Sequence, residues 1–135
     1  MAEMNELLTA TFSLKAGEAT LGRYCVAVLD SATEGVVKNP SGENDGKIAG
    51  VLRDVTLEAG ETGLFQVAGI AKVKAAAAVA IGDLLVVADA QGRVKAKGTS
   101  SNPSGAGIVG RALSGAGEED TVVKCILCIP SEFSS

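Results

Sequence analysis

The chain has 135 residues, 47% of them hydrophobic, with no histidine and a formal net charge of −4. That length suits one domain, and its longest apolar run, Ala75–Ile81, is far shorter than the roughly 20 residues of a membrane-spanning helix. Without histidine, Ser-His and Cys-His nucleophile pairs are excluded within one chain and the commonest metal ligand is missing. An acidic chain with no basic tract is also poorly suited to nucleic acid, whose binding depends on phosphate neutralisation.

The N-terminal stretch carries Glu3 and Glu6 and lacks a basic segment followed by an apolar one, so it reads as no secretion signal. Over Thr9–Leu14, Thr9, Thr11 and Ser13 alternate with Ala10, Phe12 and Leu14, a period of two that suits a strand with one apolar face. Two readings stand for residues 1–14: an extended arm that adds a strand to a partner protein, or an edge strand of the domain's own sheet. Further strands are expected at Tyr24–Leu29, Lys47–Arg53, Gly63–Lys74, Leu84–Ala88, Arg93–Lys97, Gly107–Leu113 and Thr121–Ile129. Each is a short β-branched run between turn formers. The polar segment of residues 31–46 is expected to be a mobile surface loop, and Gly98–Gly105 another.

Lys74–Ile81 is alanine-rich yet too short for a stable isolated helix, so it reads as a connection with room for one helical turn. In Gly63–Lys74, Phe65, Val67, Ala71 and Val73 share one side while Lys72 and Lys74 point opposite. In Arg93–Lys97, Arg93, Lys95 and Lys97 share a face opposite Val94 and Ala96. Lys72, Lys74, Arg93, Lys95 and Lys97 are thus the candidate cationic group, either a solvated sheet face or a docking patch for an acidic protein surface.

A weak internal repeat runs through the chain. Ala49-Gly50-Val51-Leu52 followed by Ala59-Gly60-Glu61 recurs as Ala106-Gly107-Ile108-Val109 followed by Ala116-Gly117-Glu118, at the same internal spacing. Two similar strand–turn–strand units packed together would produce it. The fold expected is all-β: a compact antiparallel β-barrel or sandwich of short strands, one domain over residues 15–135, with the extended N-terminal arm. Aromatics are scarce (three Phe, one Tyr, no Trp), so Val, Ile, Leu and Ala must build the core.

Two motifs suggest chemistry and fail in context. Gly105–Gly110 matches G-x-G-x-x-G, but it follows a polar loop and glycines interrupt what comes next before a helix can develop. Cys125-Ile126-Leu127-Cys128 matches C-x-x-C, but it lies in a strand pattern where residues three apart face opposite sides. With Cys25 the only other cysteine, no zinc set forms. Asp83 and Asp89 flank one strand and read as turn residues. No catalytic, cofactor or metal site is expected, and no enzyme activity.

Gly50-Val51-Leu52, Ala59-Gly60-Glu61, Val67–Val73, Gly82-Asp83-Leu84-Leu85, Asp89-Ala90-Gln91-Gly92-Arg93 and Ile108-Val109-Gly110-Arg111-Ala112 resemble, in order and spacing, the small phage capsid decoration (cement) proteins. The resemblance covers about Lys47 to Ile129 and none of residues 1–46. It implies an all-β virion protein, made in the host cytoplasm, that sits on the outer capsid surface as a homotrimer or homodimer. There it would clamp neighbouring major capsid subunits, without cofactor, nucleic acid or membrane. The contacts expected on that basis are Leu7, Leu8, Thr9, Thr11 and Phe12 of the arm together with the five cations. The alternative is a β-clip or lipoyl-like carrier domain of a larger bacterial assembly, although the hairpin tip Asp89–Gly92 lacks the modifiable lysine that carriers need.

Overall fold

The computed structural model describes residues 10–17, 20–43, 45, 47–53, 55–99 and 107–127, with residues 10–14 described as backbone. Among the described residues ten strands follow one another: β1 (Ala10–Ala16), β2 (Val26–Leu29), β3 (Val36–Lys38), β4 (Ile48–Leu52), β5 (Thr62–Ala68), β6 (Ile70–Lys74), β7 (Leu84–Val87), β8 (Val94–Ala96), β9 (Ile108–Ala112) and β10 (Val122–Leu127). One 3₁₀ turn, Lys97–Thr99, is the only helical element among the described residues. The protein is all-β, as its alternating pattern predicts.

The first five strands close into a barrel in the order β1-β3-β2-β4-β5, with β5 pairing back to β1. The β1–β3 pairing is parallel, at Lys15–Val36 and Ala16–Val37, and the other ladders of the barrel are antiparallel. The second five form a sheet in the order β6-β10-β9-β7-β8. An isolated parallel bridge, Ala75–Val94, carries the chain just beyond β6 against β8.

The two halves share one plan. Adding five to each strand number of the barrel order gives β6-β8-β7-β9-β10. That is the order of the second sheet once the Ala75–Val94 bridge is included. The match extends to detail. The bridge Leu21–Leu57 of the first half has its counterpart in Val79–Ala116 of the second. The bond from Gly17 N to Val37 O (2.9 Å) matches that from Ala76 N to Val94 O (2.7 Å). A five-strand unit is therefore used twice, with β4 and β9 as equivalent strands, but the ladders set Gly50 against Gly110, out of register with the short sequence repeat, which sets Gly50 against Gly107.

Alternation along the strands divides the core in two. Ala27, Val37, Leu52 and Phe65 point into the barrel with Ala16, Leu21 and Leu57. Their neighbours Val26, Val51 and Ile48 point out of it and join Val73, Leu85, Val87, Val94, Val109, Val123 and Cys125 of the second sheet. The outer wall of the barrel thus supplies apolar side chains to the core of the second half, and the halves bury surface that neither could bury alone. Backbone bonds reinforce the junction. Tyr24 donates to Leu52 O and accepts from Lys74 N, each at 2.9 Å, and Val26 N donates to Gly92 O at 2.7 Å.

Three details differ from the sequence reading. Residues 31–46, expected to be a mobile loop, contain β3. Its Val36-Val37 pair is β-branched, and Val37 is fully buried in the barrel. The turn after β3 is held by Asp45, whose carboxylate accepts from Ser41 N, Ser41 Oγ and Lys47 N at 2.9–3.0 Å. The single strand expected at Gly63–Lys74 is two, because Gly69 takes φ 87°, a conformation that L side chains avoid, and turns the chain between β5 and β6. Lys74–Ile81 is a connection that bends at Ala76 and Ala77 between the bridges at Ala75 and Val79, and it forms no helical turn.

Candidate interaction surface

The outward face of β6, β10 and β9 carries apolar and basic side chains and no acidic one. Across the β6–β10 ladder Ile70 lies opposite Ile126, Lys72 opposite Lys124, and Lys74 opposite Val122. On the next strand Arg111 lies opposite Ile126. Ile70 and Ile126 are 56% and 45% exposed, and Lys72, Lys124 and Arg111 are exposed as well. Among the described residues no carboxylate forms an ion pair with Lys72, Lys124 or Arg111. Arg111 instead donates to Gly82 O at 2.7 Å.

At its Ile70–Lys72 edge this face runs into a cleft of about 170 Å³ between the two halves, lined by Tyr24, Arg53, Gln66, Ile70 and Lys72 with Val51 and Leu52 below. Tyr24 takes φ 66°, a sterically costly backbone for a bulky residue. The two backbone bonds to Leu52 and Lys74 hold it there. Its ring is flanked by cations, with Arg23 Cζ 4.8 Å and Lys72 Nζ 5.9 Å from the centroid. Gln66 is 5% exposed. Its amide nitrogen donates to Ala68 O (3.0 Å) and Ile70 O (2.8 Å) across the Gly69 turn. Among the described residues nothing donates to its Oε1.

The cations expected to act together are divided by the fold. Lys72 and Lys74 lie on β6, whereas Arg93 and Lys95 belong to the β7–β8 hairpin and are neutralised within the molecule. Arg93 contacts Asp89 (2.8 Å), Asp120 (3.1 Å) and Glu119 (3.6 Å), and its bonding to Asp89 and Asp120 holds the guanidinium still more firmly protonated. Lys95 pairs with Glu43. Lys97 opens the 3₁₀ turn. Five cations on one free face is therefore corrected to a β6–β10–β9 face that retains Lys72 and Lys74 and adds Lys124 and Arg111. Lys124 is the one polar residue in the otherwise apolar run of β10, and the alternating burial of that strand puts it outward. Arg23, Arg53, Tyr24 and Gln66 reach the site by long-range pairing, which short motifs do not encode.

Of the arm residues, Leu7, Leu8 and Thr9 lie outside the described residues. Thr11 and Phe12 lie in β1, paired with Gln66 and Phe65 of β5. From Ala10 onward the chain is thus part of the domain's own sheet. On its other side, β1 joins β3 at Lys15 and Ala16.

The tempting motifs resolve into packing. Of the glycine-rich run, Gly107 leads into β9, which holds Gly110, Gly105 and Ala106 lie outside the described residues, and among the described residues no helix follows. Cys125 points into the core, where burial pushes its thiol up to about 12, and burial likewise raises Cys25; Cys128 lies outside the described residues. Asp83 accepts from Ala80 N and Asp89 from Gln91 N, as turn-building carboxylates do. The Asp89–Gly92 tip lies against the barrel through Gly92 and Val26, so it does not project as a carrier hairpin would.

Comparison with known proteins places the architecture. The fold is similar to that of a bacteriophage head-fibre base. The match is to the crystal structure of the head fiber gp8.5 N base in bacteriophage phi29, with a TM-score of 0.63 at 16% sequence identity. It covers 90% of this chain and 96% of the phi29 base, so the likeness takes in both five-strand halves. No protein-family model and no curated protein matches the chain.

Proposed function

We propose that this chain is a structural protein of a phage virion that decorates the outer surface of the expanded capsid. The observation that carries the reading is the likeness to a phage head-fibre base across nearly the whole of both chains. The run from Gly50 to Ala112 that resembles decoration proteins supports it independently, because it was read from residues and not from shape.

The mechanism is clamping by selective binding. A protein that binds neighbouring major capsid subunits only in the expanded lattice stabilises that lattice by mass action, and many copies multiply a modest gain per site. The molecule suits such a role because its two halves share a core and bind as one rigid unit, with little ordering cost. Self-association, as a homotrimer or alternatively a homodimer, would add contacts per site. On this reading the chain acts by binding and carries out no reaction.

The test is to mix the purified protein with expanded heads that lack it, and to image them. Regular added density on the outer surface and a raised melting temperature of the shell are the expected results. Heads that stay bare at micromolar protein concentrations overturn the proposal.

A further inference from the structure

We propose that the cleft at Tyr24, with the Ile70–Ile126 pair beside it, binds an extended acidic–apolar polypeptide segment of a partner protein. Three features of the surface each select one part of such a ligand. Arg53 and Lys72 line the cleft, with Arg23 against the Tyr24 ring, and no described carboxylate neutralises them, so they select a carboxylate side chain. Gln66 is buried and, among the described residues, nothing donates to its Oε1; a main-chain N–H of an extended segment supplies a donor. Ile70 and Ile126 face each other in solvent beside the cleft and select an apolar side chain next to the acid.

The pattern distinguishes the partner's class. A free anion or a nucleic acid would meet the cations but would leave the isoleucine pair exposed. Arg93 and Lys95 at the β7–β8 hairpin, by contrast, are already paired, whereas Arg23, Arg53 and Lys72 around the cleft have no ion-pair partner among the described residues. A carboxylate in the cleft gains charge-assisted hydrogen bonds in a partly desolvated place, and the surrounding cations speed encounter with an acidic surface. The same chemistry serves a capsid subunit or any other acidic protein, so the test uses peptides and is separate from the capsid assay.

The molecule carries its own reporter. Tyr24 is the only tyrosine and there is no tryptophan, so intrinsic fluorescence excited at the tyrosine band comes from the cleft. The experiment titrates the protein with the capped peptide Leu-Glu-Glu-Leu-Glu, with the same peptide carrying Lys for Glu, and with a single-stranded oligothymidylate. Saturable change with the acidic peptide alone, weakened at least tenfold by Lys72→Glu or Arg53→Glu and by raised salt, is the expected result. Both variants change solvent-accessible side chains, and circular dichroism with the melting temperature verifies that they fold; Lys72→Gln, which only removes charge, must weaken binding to a lesser degree. No saturable change, an equal response to the lysine peptide or oligothymidylate, or full binding by folded Lys72→Glu overturns the proposal. A signal that follows protein concentration without peptide also overturns it, because a second copy then occupies the cleft.

Discussion

Lys72 and Lys124 lie directly opposite one another across the β6–β10 ladder, both exposed and neither paired with a described carboxylate. Like charges so placed repel and weaken the pairing of their strands. Lys124→Glu should therefore stabilise the protein by about 0.5 kcal/mol, within the range of cross-strand pairs, with a smaller gain at high salt. The same substitution should weaken binding of the acidic peptide. Urea denaturation at two salt concentrations measures the first effect and the Tyr24 titration the second. A stability cost retained on the surface is what a binding face shows when its charges serve a partner.

The junction between the halves leads to a second prediction. Gly92 takes φ 84°, its carbonyl accepts from Val26 N, and a Cβ added there would collide with Val26 O and come within 3.1 Å of Cys25 Cβ. Gly60 takes nearly the same φ, 85°, but a Cβ there meets nothing within 4 Å. Gly60→Ala should cost only the backbone penalty, about 1 kcal/mol. Gly92→Ala adds the collision and should cost about 3 kcal/mol in all. Equal losses for the two in urea denaturation would mean that the Val26–Gly92 contact does not hold the halves together.

How much of this was legible in the sequence follows from the range of each interaction. Strands such as Leu84–Val87 and Val122–Leu127 announce themselves because a short β-branched apolar run between turn residues is a local signal. The β3 strand did not, because Val36-Val37 is too short to show a period and is recognisable only by what it pairs with. The Gly69 turn was hidden in a continuous apolar run whose two halves keep the same alternation. The cationic patch was half right for the same reason. A side chain's face can be read from its own strand, but the Asp89 and Asp120 that neutralise Arg93 lie on two different turns. The duplicated unit was not legible, because the sequence repeat sets Gly50 against Gly107 where the ladders set it against Gly110; topology repeats where side chains differ.

The turn around Asp45 gives a prediction at acid pH. Burial by itself would raise its pKa, but hydrogen bonds from Ser41 and Lys47 to the ionised carboxylate outweigh burial and lower the value below 3.8. The native state therefore holds the proton more weakly than the unfolded chain does. The stabilisation is fully present above the unfolded value and is lost as pH falls through the lowered native one. Asp45→Asn should be less stable at pH 7 by about 1 kcal/mol, and the difference should shrink towards pH 3. Denaturation curves for the two proteins at pH 7, 4 and 3 would show it, and a gap independent of pH would exclude the carboxylate as its source.

At alkaline pH the corresponding group is Cys125, fully buried on the inward face of β10. Burial raises its thiol from the usual 9.0 to about 12. Between those values the unfolded chain releases the thiol proton while the native state keeps it. Unfolding then becomes easier by about 1.4 kcal/mol for each pH unit. Cys125→Ala removes this titration and leaves a small cavity, a loss of about 1 kcal/mol at pH 7. The wild-type protein should therefore be the more stable below pH 9, and the variant should overtake it near pH 10. The other groups that titrate there are common to both proteins, so their effects cancel in the difference. A variant that stays less stable up to pH 11 would show that the thiol ionises in the native state without hindrance, and that β10 does not seal the core at this position.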